Sequence, residues 1–389
     1  MSTDTVINDK AQGGGMPMGM MLVAIAVTVI GAIASFSLLT QGHSAFNTGS
    51  TLAWGLPVSA YVFFALSAAG LTMVASVAMV FGVKDFYPIA KRCVWLSIAV
   101  LIAGFISLGL ELGHPLRMIW AIPLNMAVSS PMFWMGAFYL LFLIFIIWKF
   151  MFLQRNDWDS PASRKVGMAG FVAEVAAVVT LGLVFGMMAM RPYWYGAFVP
   201  VYFLVTALLS GMAFATLFTY LASGMSTSGF SERKQRLMST EMPKAFALIL
   251  GVVLLFHIAH TITGLWSNNP EINAVTSHLV GTLWFHVALW LGLVLPFIIL
   301  IMPNLRAQPG MQMLAGVLVL LGMFIGRYEY VVGGQLVPLF QGTWHQGLIT
   351  YAPSMTEWGV VILGTGIGLL IYAYGAGKFR LDDTPSDAN

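Results

Sequence analysis

Charge is what this sequence has least of. Only 8% of its 389 residues are Asp, Glu, Lys or Arg, against about 25% in soluble domains. Cysteine is nearly absent too: Cys93 stands alone. That excludes an intrachain disulfide and any cysteine-ligated iron–sulfur cluster held by this chain. There is no Walker loop, no HExxH and no glycine loop attached to a strand, so nucleotide and zinc-peptidase chemistry have no carrier. The opening MSTDTVINDKAQGGG lacks the basic start and short apolar core of a cleaved signal peptide, so the first apolar segment reads as a retained helix. What fills the chain instead is hydrophobic surface, 59% of residues with a mean hydropathy of +0.85. No soluble core of this size absorbs that much, so the composition specifies a polytopic membrane protein. The net charge of +3 is dispersed between apolar segments and gives no footprint for nucleic acid.

A membrane-spanning helix needs about 20 apolar residues. The candidates are Pro17–Thr40, Trp54–Gly82, Pro88–Leu110, Ser130–Leu153, Val166–Met190, Tyr195–Ser223, Lys244–Leu265, His278–Met302, Met311–Arg327 and Glu357–Tyr374. Residues 1–16 and 377–389 remain as polar tails around a membrane domain of 17–376. When the connections are assigned to alternate sides, fifteen of the eighteen lysines and arginines share one side. The positive-inside bias then makes both termini cytoplasmic. Only Arg117, Arg191 and Arg327 fall on the opposite side. That side carries aromatic, proline-rich connections, the longest running from Tyr328 to Trp358 with Trp344 and His345 in it. It is too apolar for a free loop and is expected to cover the helix ends.

The stretch WGLPVSAYVFFALSAAG, from Trp54 to Gly70, returns as YGAFVPVYFLVTALLSG, from Tyr195 to Gly211. At a constant offset Gly55, Val58, Tyr61 and Gly70 match Gly196, Val199, Tyr202 and Gly211. One helical unit used twice, over about 54–190 and 195–327, with extra helices flanking it, accounts for this.

Few residues can carry chemistry. Glu111, His114 and Arg117 cluster in ELGHPLR, where a carboxylate and an imidazole can exchange protons with a ligand; helix termination by Gly113 and Pro115 is the competing reading. Glu174 sits among apolar residues in FVAEVAAVV, where an ionised carboxylate is costly; a proton relay and an interhelical hydrogen bond are equally good accounts. His257, His260, His278 and His286 offer ligands for a b-type haem, but the first two are one turn apart and read better as polar contacts. The tryptophans near helix ends fit an interfacial belt.

Several pieces then occur together in order: WGLPVSAYVFFALSAAG, ELGHPLR, NMAVSSPMFW (Asn125–Trp134), RPYW, GTLWFHVALWLGLVLP and GRYEYVVGGQ. Over residues 50 to 340 this order resembles the NrfD/polysulfide reductase membrane-subunit family. The family's Asp-Leu-Gly-Arg-Pro motif appears at Glu111–Pro115 with Glu and His in two positions. Its Ser-Ser-Pro-Met-x-Trp motif is intact at Ser129–Trp134. The resemblance implies an all-α integral membrane protein of about ten transmembrane helices, two related four-helix bundles plus flanking helices, in the bacterial inner membrane. It implies a menaquinone or ubiquinone site near the outer face, with no haem or iron–sulfur cluster in this chain. The implied partners are a four-cluster ferredoxin-like iron–sulfur subunit and a further redox subunit, such as a molybdopterin enzyme, hydrogenase or multihaem cytochrome. The quinone site maps onto Ser59, Tyr61, His114 and Arg327, with Glu111 and Glu174 for proton transfer and Arg117, Asn125, Ser130, Arg191 and Gln335 in support. Tyr61, His114 and Arg327 can donate to carbonyl oxygens, and Glu111 can accept protons. Tyr61, Glu111, His114 and Arg327 are expected at one depth under the Tyr328–Trp358 connection. A secondary transporter or a haem b cytochrome subunit are the alternatives.

Overall fold

The computed structural model describes residues 18–113, 120, 124, 126–339 and 347–385. Among them the regular structure is all helical, and ten helices are long and apolar enough to cross a membrane. They are α1 (Met18–Ala34), α2 (Leu56–Met79), α3 (Tyr87–Glu111), α4 (Pro131–Gln154), α5 (Pro161–Gly186), α6 (Val199–Ala222), α7 (Met242–Leu265), α8 (Leu283–Ile301), α9 (Pro309–Gly333) and α10 (Met355–Lys378). Helices satisfy their own backbone donors and acceptors, as lipid demands. Proline marks where many of them start: Pro57, Pro88, Pro131, Pro161, Pro200, Pro243 and Pro309 all lie in a first turn. There the missing N–H costs nothing and the fixed φ favours the helix.

The helices pack as two rings of four. In the first, α2 touches α3 and α5, and α4 closes the ring against both. In the second, α6 touches α7 and α9, and α8 closes it in the same way. The rings meet along α2–α6, α2–α9 and α5–α6, while α10 lies on α3 and α1 lies on α10. The core of the interface is the crossing of α2 and α6, the two helices that share the sequence pattern. A Cβ added to Gly70 would collide with the carbonyl oxygen of Ala207, and one added to Gly211 with the carbonyl carbon of Gly70. One of the four matched pairs, Gly70 with Gly211, is thus a pair of glycines that lets the backbones touch, as small residues do in membrane helix pairs.

Three expectations are corrected. The ninth helix does not stop at Arg327 but continues to Gly333, so Tyr328–Gly333 belongs to the helix and Arg327 lies inside it; Gln335, just beyond, is the residue that turns the chain. His278 is not on the eighth spanning helix. It ends a separate helix, Pro270–Val280, which the Asn269 side chain caps, and a new start at Thr282 then begins α8. The first helix breaks at Ala34 and continues as two short pieces, Ser37–Gln41 and Gly42–Ala45, rather than running to Thr40.

Candidate functional site

Two tiers of polar residues lie at the end of the molecule where α2 and α6 begin. The inner tier starts with Tyr61, whose ring stacks on Phe105 of α3 at 6.4 Å and meets Tyr139 of α4 edge-on at 6.2 Å. Tyr139 is fully buried, and its hydroxyl has no hydrogen-bond partner among the described residues. An unmet buried polar group costs about 1–3 kcal/mol, so a native core that retains one has a use for it. Arg327 is 2% exposed. It donates to the Thr206 hydroxyl and lies over the rings of Phe203 at 4.6 Å and Tyr202 at 5.3 Å. Tyr202, Tyr330 and Tyr139 are within electrostatic reach of its guanidinium. No carboxylate pairs with it among the described residues. Aromatic faces and hydroxyl oxygens therefore do the work of a counterion, a favourable arrangement for a desolvated guanidinium. At 1.5 Å per residue, Tyr61, Tyr139 and Arg327 sit about 8–12 Å inside their helix ends.

The outer tier holds two carboxylates. Glu111 ends α3, is 7% exposed, and has no hydrogen-bond partner for Oε2 among the described residues. Glu357 lies within electrostatic reach of it. Glu357 is fully satisfied: it accepts the N–H of Ser354 at 2.7 Å, the N–H of Asn47 at 3.1 Å and the Tyr351 hydroxyl at 2.5 Å. The Tyr351 oxygen in turn accepts the N–H of Leu56 at 2.9 Å, which ties the connection before α10 to the start of α2. Burial, together with the bond to Glu357, pushes the Tyr351 phenol far up, so it remains a donor. The His43 ring packs against Gly113, whose φ of +63° turns the chain away after α3.

Tyr61 and Glu111 are therefore not at one depth. Tyr61 is level with Phe105, about 9 Å along α3 from Glu111. Glu111 and Arg327 belong to different tiers and form no ion pair. Ser59 is buried and spends its hydroxyl on the Gly55 carbonyl of its own helix at 2.9 Å. Gln335 is a clamp: its oxygen accepts the N–H groups of Ala53 and Trp54, both at 3.0 Å, and its nitrogen donates to the Trp54 and Val331 carbonyls. Ser130 starts α4 as its N-terminal flank. His114, Arg117, Asn125, Trp344, His345 and residues 1–16 lie outside the described residues.

Glu174 is 1% exposed and stands apart, in the middle of α5. The Thr72 hydroxyl of α2 adjoins it, and its Oε1 has no hydrogen-bond partner among the described residues. Thr72 lies 3.5 Å from Ser97 of α3, and both hydroxyls also donate to the Ala68 carbonyl. Arg191 belongs to the second ring. It donates to the Val337 carbonyl at 2.7 Å and, with Tyr193, Glu271 and Gly334, lines a cavity of about 300 Å³ separate from the Tyr61 cluster. Burial lowers its pKa and Glu271 opposes that shift. His257 stacks on Phe285 and His260 meets Tyr193 edge-on.

Sequence reasoning missed Tyr139, Glu329, Glu357, Tyr351 and His43. Glu357 had a visible signal, since Ser354 and Glu357 form a capping box. Glu329 was signalled by its place in GRYEYVVGGQ; it is 7% exposed and accepts from Thr282 at 3.3 Å.

Comparison with known proteins adds to this geometry. The sequence model of the polysulphide reductase, NrfD family matches residues 44–338. The chain is 25% identical to a selenate reductase subunit of Mesobacillus selenatarsenatis, over 89% of this chain and 90% of that one. It is 22% identical to the Hdr-like menaquinol oxidoreductase integral membrane subunit of Archaeoglobus fulgidus, over 93% of both. It is also 22% identical to the menaquinone reductase integral membrane subunit of Nitratidesulfovibrio vulgaris, over 88% of this chain and 86% of that one.

Proposed function

The chain belongs to the polysulphide reductase, NrfD family, and from that premise we propose that it is the subunit through which a respiratory oxidoreductase complex reaches the membrane quinone pool. Two of the similar proteins carry menaquinol or menaquinone in their names, and all three are subunits of reductase or oxidoreductase systems. The observation that carries the reading is the Tyr139 hydroxyl, a buried donor with no acceptor among the described residues, held against Tyr61 and within electrostatic reach of Arg327. A carbonyl oxygen of a menaquinone or ubiquinone is the acceptor that fits it.

A bound quinone supplies a two-electron, two-proton couple. The protein's share is to bind and to move protons. Tyr139 and Tyr61 donate toward carbonyl oxygen, and the Arg327 charge favours electron-rich ligand atoms beside it. Phe105 and the surrounding apolar wall exclude water. Glu111, with an unpartnered oxygen at the outer rim, takes or gives the proton between the site and the surface. His114 stands three residues further along the chain and serves the same exchange. Electrons pass to a four-cluster ferredoxin-like iron–sulfur subunit and on to a further redox subunit. The complex resides in the bacterial inner membrane, with both termini of this chain in the cytoplasm.

The test compares two activities of the assembled complex. Tyr139→Phe and Tyr61→Phe are each expected to lower quinol-dependent reduction of the partner's clusters roughly tenfold or more, the loss of about one buried hydrogen bond to the ligand. Reduction of the same clusters by an artificial dye should be unchanged. Wild-type quinol kinetics in both variants would remove the site from this cluster.

A further inference from the structure

Between α4 and α5, on the outward side of the first ring, runs a groove of about 460 Å³. Its wall is apolar, formed by Phe138, Leu141 and Phe145 on α4 and by Met168 and Val172 on α5. Leu141, Met168 and Val172 are exposed, so the groove opens to the lipid rather than to the protein interior. It extends from Ala173 to Lys165, about 12 Å along α5, and Lys165 is its one charged lining residue. Lys165 is exposed and makes no ion pair or hydrogen bond among the described residues. It lies in the second turn of α5, at the end facing the lysine- and arginine-rich connections.

An apolar trough that reaches toward mid-membrane from a single unpaired cation at the interface has the polarity of one membrane component. We propose that the groove is a binding site for one anionic phospholipid, an acyl chain lying against Phe138, Phe145 and Val172 with the phosphate on Lys165. The charge selects the occupant. A zwitterionic lipid brings its own cation to the mouth, and an isoprenoid quinone brings no anion. A partner helix would bury the aliphatic wall but leave Lys165 to find a carboxylate elsewhere. Arg155 and Arg164, exposed at the same end, add to the local field. Arg164 is partly engaged by Asp159 at 3.4 Å.

Purified protein reconstituted in nanodiscs of phosphatidylglycerol and phosphatidylcholine in equal amounts, then released into mild detergent, provides the test by native mass spectrometry. The expected result is one retained phosphatidylglycerol per chain in the wild type. Lys165→Ala should reduce the preference for phosphatidylglycerol roughly fivefold, as expected for about 1 kcal/mol per basic residue at the surface, and Lys165→Arg should keep it. Ala169→Trp, which fills the trough without touching the charge, should remove the retained lipid of either kind. Equal retention of phosphatidylcholine, a retained quinone in place of lipid, or lipid occupancy unchanged by both Lys165→Ala and Ala169→Trp would each overturn the assignment.

Discussion

Glu174 is where position and chemistry conflict most. A carboxylate in the middle of a spanning helix costs about 2.5–3.5 kcal/mol to insert, and Glu174 leaves Oε1 without a hydrogen-bond partner among the described residues. Thr72, which adjoins it, and Ser97 form a short polar track across α2 and α3. If the track relays protons, Glu174→Gln keeps the shape but cannot cycle a proton. Turnover with quinol should then fall on the order of 10²-fold while quinone affinity and assembly hold. Loss of assembly would make the residue structural, and wild-type turnover would end the relay reading. Residues like this one were legible in the sequence because a charge inside an apolar run stands out; Glu111 and Arg327 were visible for the same reason. Tyr139 was not, since a tyrosine in FYLLFLIF reads as packing, and nothing local says that its hydroxyl ends without a partner. Ser59, mapped to the site at the head of α2 by the family resemblance, returns its proton to the preceding turn, so only its acceptor side is left for a ligand.

At the scale of elements, helix existence was readable from apolar run length, and so were many ends: α3, α4 and α7 start and stop within two residues of the expectation. The end of α1, the start of α8, the end of α9 and the path of the chain beyond α10 were not, because capping and long-range contacts decide them. The C-terminal strap beyond α10 illustrates the second kind. Phe379 packs on Trp95 and Phe150, and Asp382 then sits between Arg92 at 2.5 Å and Lys234 at 2.7 Å. Asp383 reaches Lys91 at 3.1 Å. The sequence showed a polar tail over 377–389; that it neutralises buried cations on α3 and on the α6–α7 connection depends on partners 290 and 292 residues away on α3 and 148 residues away on that connection. Burial by itself would raise the Asp382 pKa, but Arg92 and Lys234 outweigh it and hold the carboxyl below its ordinary value. A carboxyl whose folded pKa is depressed stabilises the docked tail fully above its unfolded pKa, and that contribution is lost as pH falls through the folded value. Hydrogen exchange of the Phe379–Asp383 amides, corrected for intrinsic rate, should therefore show protection near neutrality that declines below the normal carboxylate range. The Asp382 side chain is 56% exposed, so its ion pairs are screened by solvent, and Asp382→Asn should weaken docking by about 1 kcal/mol or less and flatten this pH dependence. A variant as protected and as pH-sensitive as wild type would mean that the aromatic contacts alone hold the strap.

For the whole molecule, the two rings and the strap bear on one question, which way the chain faces. The helices alternate, so the α2–α3, α4–α5, α6–α7 and α8–α9 connections share a side with the residues after α10. The salt bridges agree with that count, since Asp382 and Asp383 could not reach Lys91, Arg92 and Lys234 from the opposite face. That side carries the lysine and arginine excess and the mouth of the lipid groove. The other side carries Glu111, Glu357 and the aromatic connections. Arg327, assigned to the second side from sequence, is inside α9, so it no longer counts against the bias. In the orientation proposed above from the positive-inside rule, the C-terminus lies in the cytoplasm and the two-carboxylate rim at the outer face. A green fluorescent reporter fused after Asn389 should be bright, and alkaline phosphatase at the same point should be silent; after Tyr195, in the short α5–α6 connection, the pattern should reverse. An active phosphatase after Asn389 would invert the molecule, and with it the side of the membrane on which Glu111 exchanges its protons.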